Sequence, residues 1–299
     1  MVDSHSNGHA NGHSHDGHGH DEHGHKPDHI EVRVLRQDGP GQPSYWERHS
    51  VKYEADMNVI SVLQRIAANA KNAEGKHVAP VAWDCNCLEE VCGACTMVIN
   101  GKVRQACSAL VDKLLSDNPA EIELQPMTKF PVVRDLAVDR TRLFSALSRV
   151  KAWVPVDGYY DMGAGPRYPA EDQETAYPLS QCMSCGCCVE ACPQYTKVEL
   201  ERIEGETEEA YNARCKADYD RAFVGPHAIS QAMLFNQHPT GKNIAGERLD
   251  ALTAEGGLQV CGNAQNCVAV CPKLIPLTTS IARAGRATTL HVLKKWFGA

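Results

Sequence analysis

The chain has 299 residues, 43% of them hydrophobic and 22% charged, a composition that suits two globular domains better than one. Its formal net charge of −7 argues against nucleic acid as a partner, because nucleic-acid-binding domains are usually basic. It contains no apolar run of about 18 residues, the length that a transmembrane helix requires. We also see no export signal near the first residue, so disulfides are not expected, and the grouped cysteines among the 14 are expected to be metal ligands.

The first segment, residues 1–29, is rich in histidine, glycine and aspartate and has too few apolar residues to form a core. We predict that it is a disordered, dispensable tail. Capture of metal ions by its histidines is the alternative interpretation.

The next segment, residues 30–130, has the pattern of a small mixed sheet. Ile30, Val32 and Val34 alternate with polar residues, as in a half-buried strand. Asp56 precedes an apolar helical stripe and is the expected helix cap. The predicted elements are strands at 30–37, 46–53 and 121–127, a helix after Asp56, and a hairpin turning at Asn100-Gly101.

The remaining segment, residues 131–299, has mainly helical periodicity. We predict a helix within residues 132–150 and an exposed helix within residues 199–223, the latter with a break near Gly205. The expected fold class is therefore α+β, with a sheet domain followed by an all-α domain.

The first cysteine run, DCNCLEEVCGAC, matches the plant-type ligand pattern Cys-x4-Cys-x2-Cys…Cys of a 2Fe–2S cluster. The spacing selects Cys87, Cys92, Cys95 and, after the hairpin, Cys107. A zinc site is the alternative, but it usually has paired Cys-x2-4-Cys units. Cys85 falls outside the pattern and is expected to be a small buried residue.

The second run, QCMSCGCCVEACP, matches the bacterial pattern Cys-x2-Cys-x2-Cys-x3-Cys-Pro, whose fourth cysteine binds a neighbouring cluster. The last run, CGNAQNCVAVCP, supplies the partners, with Ala264 where one more cysteine could stand. Cys187 is out of register and is expected to be a packing residue. The predicted ligands are Cys182, Cys185, Cys188 and Cys271 for a 4Fe–4S cluster, and Cys192, Cys261 and Cys267 for a 3Fe–4S cluster.

No dinucleotide fingerprint, phosphate loop, zinc-protease motif or catalytic triad accompanies these cysteine runs. A chain with several clusters and no other cofactor motif indicates an electron carrier, so catalytic residues are expected on other subunits.

Several segments resemble the iron–sulfur subunit of the succinate dehydrogenase and fumarate reductase family, in the bacterial form paired with a single-chain cytochrome b anchor. The resemblance extends from Ile30 to the C-terminus, and the segments that carry it are WDCNCLEEVCGACTMVINGKVRQAC, FPVVRDLAVDR, HPTG and EGGLQVCGNAQNCVAVCPKLIPLTTSIA.

The resemblance implies a β-grasp 2Fe–2S ferredoxin domain followed by a helical ferredoxin-type domain. It implies a flavoprotein partner with FAD, where succinate and fumarate interconvert, and a membrane anchor with haem b. Electrons would pass from FAD through the 2Fe–2S, 4Fe–4S and 3Fe–4S clusters to quinone. The expected location is the cytoplasmic face of the bacterial plasma membrane, as a peripheral subunit.

Two positions depart from the pattern of family members that reduce ubiquinone. Those members carry an aromatic residue and a histidine where this chain has Lys197 and Gly262. We therefore expect menaquinone rather than ubiquinone, and we assign no quinone-binding residue. A quinol:fumarate reductase subunit and a ferredoxin-like subunit of another oxidoreductase are the alternative functions.

The C-terminal end combines basic and aromatic residues, because no acidic residue follows Glu255 and the chain ends in KKWFGA. A solvated helix end is one interpretation, since lysines in a last turn suit the helix dipole. A surface facing a membrane or a membrane-embedded partner is the other, since tryptophan and lysine are favoured at that boundary.

Overall fold

The computed structural model of the chain describes residues 27–118, 121–155, 167–198 and 200–298. Most of the predicted tail, residues 1–26, lies outside these ranges. Within them, an N-terminal sheet precedes a largely helical part, and each part has its own hydrophobic core. The predicted α+β class is confirmed.

The main sheet consists of β1 (His29–Arg36), β2 (Tyr45–Lys52), β3 (Thr96–Ile99), β4 (Lys102–Gln105) and β5 (Ile122–Gln125). Its order is β2-β1-β5-β3-β4, and β1 pairs with β5 in parallel while the other neighbours are antiparallel. As the alternation predicts, Ile30, Val32 and Val34 are buried. Asn100 and Gly101 form the β3–β4 turn with φ of 48° and 73°, which confirms the predicted hairpin.

Helix α1 (Val59–Ala68) packs its apolar face into the core under the sheet, and α2 (Val111–Asp117) follows β4. The predicted cap of α1 is wrong. Asp56 lies in a left-handed turn with φ of 63°, whereas the Asn58 side chain accepts a hydrogen bond from the Ser61 N–H at 2.9 Å. The Asn58 amide also donates to the Cys107 carbonyl at 2.9 Å, so the cap joins the helix to a candidate metal ligand.

The helical part is centred on a helix at residues 225–237, which packs against helices before and after it. No helix among the described residues is both long enough and apolar enough to cross a membrane. The helices are α3 (Thr141–Arg149), α4 (Ala170–Ser180), α5 (Cys187–Glu190), α6 (Glu208–Arg221), α7 (Gly225–Gln237), α8 (Ala245–Thr253), α9 (Asn266–Ala269) and α10 (Leu277–Phe297). Short 3₁₀ turns lie at Gly241–Ile244 and Leu258–Val260.

Part of the helix predicted within residues 132–150 is a two-stranded ribbon instead, formed by β6 (Val132–Arg134) and β7 (Ala137–Val138). The backbone N–H groups of Asp135 and Leu136 donate to the carbonyls of Gln37 and Ala82. These long-range bonds override the local helical periodicity, so residues 131–299 are not entirely α-helical.

The exposed helix predicted within residues 199–223 begins later than expected, at Glu208, because Thr207 caps it through a bond from the Ala210 N–H. The chain around Gly205 forms a turn before the helix. No residue of α6 is buried, as its charged sequence predicts.

A buried ion pair attaches the ribbon to the main sheet. Arg36 Nε donates to Asp135 Oδ1 at 2.8 Å, and the two side chains are 1% and 0% exposed. The other Asp135 oxygen accepts the Ala82 N–H at 2.9 Å, and Glu47 also pairs with Arg36. Asp135 is thus an electrostatic and hydrogen-bonding centre between distant segments.

We predict that Asp135→Asn destabilises the protein by about 3–5 kcal/mol, because it removes one of the two carboxylates that pair with the buried Arg36 side chain. Urea unfolding of the full chain measures this change. Glu54→Gln is the control, since it breaks the exposed Glu54–Arg65 pair and should cost about 0–1 kcal/mol. Equal losses in the two variants would contradict the prediction.

Candidate metal centres

The first candidate centre is the loop before β3. The backbone N–H groups of Glu89, Val91 and Cys92 point at Cys87 Sγ, at 3.3–3.4 Å. These donors lower the pKa of the Cys87 thiol to about 7, because they stabilise its thiolate. The loop therefore favours an anionic sulfur ligand.

The other three predicted ligands of this centre lie nearby. The Ala94 N–H donates to Cys92 Sγ at 3.4 Å. Burial raises the pKa of the Cys107 thiol to about 12, and the neighbouring Cys95 and Cys87 sulfurs act in the same direction. The structure thus brings the four cysteines chosen by spacing into one neighbourhood.

The second candidate centre is a cavity beside α5. Burial raises the pKa of the Cys188 thiol, and the charges of the other three predicted ligands reinforce the effect. Cys185 differs, since hydrogen bonds from the side chain and backbone of Cys187 lower the pKa of its thiol to about 7. The cavity contains all four predicted 4Fe–4S ligands, Cys182, Cys185, Cys188 and Cys271, with Cys187, His227, Ile275 and Leu277 also in its wall.

The third candidate centre is a neighbouring cavity. Its wall contains the three predicted 3Fe–4S ligands, Cys192, Cys261 and Cys267, together with Ala264, Gln194, Thr278 and Ile281. Burial raises the pKa of the Cys267 thiol, and the Cys192 and Cys261 sulfurs add to the effect. Ala264 therefore faces the space that these three thiols surround.

All three loops share a backbone feature that the sequence analysis missed. In each, two residues separated by one position have positive φ: Leu88 and Glu90, Ser184 and Gly186, Asn263 and Gln265. Turns with left-handed residues form concave nests of N–H groups that bind anions, including iron–sulfur clusters. Five of the six residues are not glycine, so each loop holds local strain of the kind found at binding sites.

The cysteines outside the predicted sets have different environments. Cys85 is exposed, so the expectation that it is buried is wrong. Cys187 is 1% exposed, in agreement with a packing residue, and it accepts a hydrogen bond from the Gln105 amide at 3.3 Å. Cys215 lies on α6, half-buried.

His227 in the second cavity was also missed, because a single histidine carries no spacing signal. Burial lowers its pKa to about 4, so the ring is neutral. Its Nε2 lies 3.1 Å from the Leu143 carbonyl and must carry the hydrogen, because a carbonyl only accepts. The remaining Nδ1 is therefore an acceptor rather than a donor to sulfur.

The donor set and the cavities fit iron–sulfur clusters better than a single metal ion. In the described ranges, no three His, Cys, Asp or Glu side chains converge closely enough to hold one ion directly. The sulfurs instead surround cavities or border a nest of N–H groups. Assignment of each cysteine as a ligand remains a prediction.

The first and second centres are in direct contact. Gly93, with φ of 70°, lies against Cys185, and a Cβ at this position would come 2.6 Å from the Cys185 Cα. Nearby, the Glu190 carboxylate accepts the N–H groups of Thr128 at 2.8 Å and Lys129 at 3.1 Å, which joins α5 to the chain after β5. The helical part is therefore fastened to the sheet beside two cysteine sets.

Comparisons with known proteins agree with this architecture. The 2Fe-2S iron-sulfur cluster binding domain family matches residues 31–145. The chain is 50% identical over 270 residues to the succinate dehydrogenase iron-sulfur subunit of Bacillus subtilis, covering 90% of this chain and 96% of that one. The chain belongs to the family of succinate dehydrogenase iron–sulfur subunits.

A second relative and a solved structure are similar to this chain at lower sequence identity. The fumarate reductase iron-sulfur subunit of Mycobacterium tuberculosis is 29% identical over 217 residues, covering 70% of this chain and 75% of the relative. A solved structure, the Mycobacterium smegmatis Sdh1 complex in the apo form, contains a chain that aligns with a TM-score of 0.62 at 20% identity. The alignment covers 87% of this chain and 95% of that one, so the two share a fold.

We predict that Gly93→Ala disrupts the contact between the first two centres, since the added carbon would clash with Cys185 backbone. The expected result is a lower iron content and a lower Tm. Gly75→Ala is the matched control: Gly75 has a similar φ of 80° but open space around it, so only backbone strain of about 1 kcal/mol is expected. Iron analysis and thermal unfolding of both variants decide whether the contact or the φ angle matters.

Proposed function

We propose that this chain carries electrons between the flavoprotein of a succinate dehydrogenase and a membrane quinone. One observation carries the proposal. The first of the three cysteine sets chosen by spacing gathers in one neighbourhood and the other two each line one cavity, in a chain that is 50% identical to a succinate dehydrogenase iron-sulfur subunit.

The proposed clusters would supply one-electron chemistry at three centres. The proposed ligands are Cys87, Cys92, Cys95 and Cys107 for the 2Fe–2S cluster, Cys182, Cys185, Cys188 and Cys271 for the 4Fe–4S cluster, and Cys192, Cys261 and Cys267 for the 3Fe–4S cluster. N–H nests and buried sulfurs support each set, since both features tune cluster stability and potential.

The proposed domains are a β-grasp 2Fe–2S ferredoxin domain at residues 30–130 and a bacterial-ferredoxin-type domain at residues 131–299. The mixed sheet with α1 on one face supports the first assignment. The helical core around the second and third cavities supports the second one.

The proposed partners are an FAD-containing flavoprotein and a membrane anchor with haem b, with the chain at the cytoplasmic face of a bacterial plasma membrane. The end of α10 supports contact with a membrane or an anchor, because Trp296 and Phe297 are 79% and 78% exposed beside two lysines. Menaquinone is the proposed quinone. Lys197 and Gly262 support this choice, since ubiquinone-reducing members of the family carry an aromatic residue and a histidine at these positions.

A quinol:fumarate reductase is the second candidate function, favoured by the 29% identity to a fumarate reductase iron-sulfur subunit. The same sequence of centres can pass electrons either way, so this chain does not fix the direction. Dicarboxylate chemistry would belong to the flavoprotein in both cases.

Isolation of the native complex tests the proposed function. We expect the chain to co-purify with a flavoprotein and a haem-containing anchor, and to give EPR signals of three distinct clusters. Succinate:menaquinone reduction should exceed quinol:fumarate reduction under matched conditions. The reverse ratio would favour the fumarate reductase alternative. A protein that contains zinc, and neither iron nor acid-labile sulfide, would refute both functions.

We predict that Ala264→Cys converts the third centre from three irons to four, because the new thiol would face the space between Cys192, Cys261 and Cys267. EPR of the oxidised complex should lose the three-iron signal. Ala269→Cys is the control, since Ala269 lies exposed in the same run and outside the cavity wall. An intact three-iron signal in Ala264→Cys would contradict the prediction.

A further inference from the structure

Arg140, at the start of α3, reaches from the helical part to the loop of the first centre. Its Nη1 donates to the Gly93 carbonyl at 2.6 Å, and its Nη2 donates to the Ala94 carbonyl at 2.5 Å. Both carbonyls lie between the candidate ligands Cys92 and Cys95. A single guanidinium therefore fixes the short segment that joins two ligands of one cluster.

The same guanidinium also stands beside the second centre. The charges of Cys95 and Cys185, one from each of the first two ligand sets, both act on Arg140, and so does the packing cysteine Cys187. The contact of Gly93 with Cys185 is the geometric reason, since it brings the two loops together at the carbonyl that Arg140 holds.

Among the described residues, the hydrogen-bond partners of this cation are neutral. Both hydrogen bonds go to backbone carbonyls, and the negative groups acting on Arg140 are Asp84 and the cysteine sulfurs. Burial lowers the pKa of Arg140, but a guanidinium remains charged at any physiological pH. A partly buried cation with no bonded carboxylate in the described part of the chain suits a place beside anionic clusters, where attraction is stronger than in water.

We propose that Arg140 is a positioning residue shared by the 2Fe–2S and 4Fe–4S clusters, holding the Cys92–Cys95 loop against Cys185 and raising both reduction potentials. The inference rests on the proposed function and its ligand sets. Reduction adds negative charge to a cluster, so a fixed positive charge nearby stabilises the reduced form. The printed hydrogen bonds of Arg140 end on the Cys92–Cys95 loop, and Arg140 is not in the described wall of the third cavity, so the potential of the third cluster should not change.

A matched control lies on the same helix. Arg149 also reaches backbone carbonyls, those of Ala222 and Glu255, and burial also lowers its pKa. The charges that act on Arg149 come from Asp220 and Glu255, and no cysteine is among them. Arg149 is therefore the control: like Arg140 it joins two segments through backbone carbonyls, but its charge has no role at the cysteine centres.

The experiment compares Arg140→Gln, Arg140→Lys and Arg149→Gln in the complete complex by EPR-monitored redox titration. In Arg140→Gln, we expect lower potentials of the 2Fe–2S and 4Fe–4S clusters and an unchanged 3Fe–4S potential. Arg140→Lys keeps the charge and should stay near the wild-type values. Arg149→Gln should leave all three potentials unchanged, whatever it does to Tm.

Unchanged potentials in a fully loaded Arg140→Gln complex would overturn the inference while leaving the proposed function intact. If Arg140→Gln fails to load clusters, Arg140→Lys decides. If Arg140→Lys loads its clusters normally and keeps near-wild-type potentials, the result supports a positioning cation. If Arg140→Gln and Arg140→Lys both lose clusters, only the shape of the guanidinium matters and the electrostatic role is overturned. Absence of clusters from the wild-type complex would instead refute the proposed function.

Discussion

The close approach of Gly93 to Cys185 is the constraint around which the rest of the structure is arranged. Two loops from segments about ninety positions apart meet with no side chain between them, because a Cβ would come 2.6 Å from a backbone atom. Two further hydrogen bonds join the same segments, from the Gln105 amide to Cys187 and from the Thr128 N–H to the Glu190 carboxylate. Sheet and helices are therefore joined where two candidate redox centres lie next to each other, which is the arrangement that electron transfer between them requires.

Local patterns in the sequence predicted the parts of the fold that depend on neighbouring residues. The alternation beginning at Ile30, the Asn100-Gly101 turn and the spacing of the cysteine runs all encode short-range geometry, and the strand, the hairpin and the grouping of cysteines follow from them. Distant contacts decided the rest. The segment after Val132 became a ribbon because its backbone bonds to Gln37 and Ala82, and no helical periodicity could reveal those partners. The bonds from Arg140 to the Cys92–Cys95 loop were hidden for the same reason. The positive φ angles of the loops were missed because five of the six residues are not glycine and so gave no sign of a left-handed conformation.

Arginines bonded to backbone carbonyls recur at the junctions of this chain. Arg248 is 0% exposed and donates to the carbonyls of Lys151, Trp153 and Gly241. Arg142 lies over the Tyr195 ring at 3.8 Å and bonds the Phe223 carbonyl. A planar fork with five donors can satisfy several loop carbonyls at once, which a lysine cannot. Irregular segments thereby obtain hydrogen bonds of the kind that helices and strands form internally.

The division of the cysteines between the second and third cavities also has a consequence for chain topology. Cys192 lies with Cys261 and Cys267, while Cys271 lies with Cys182 and Cys188, so each run contributes a sulfur to the other run's cavity. Under the proposed ligand sets, the clusters would cross-link the two runs twice and close one long loop containing α6, α7 and α8. Closing a long loop removes more freedom from the unfolded chain than closing a short one. The cross-links that restrict the unfolded chain would then form only when iron is supplied, just as those of a disulfide-bonded protein form only under oxidising conditions.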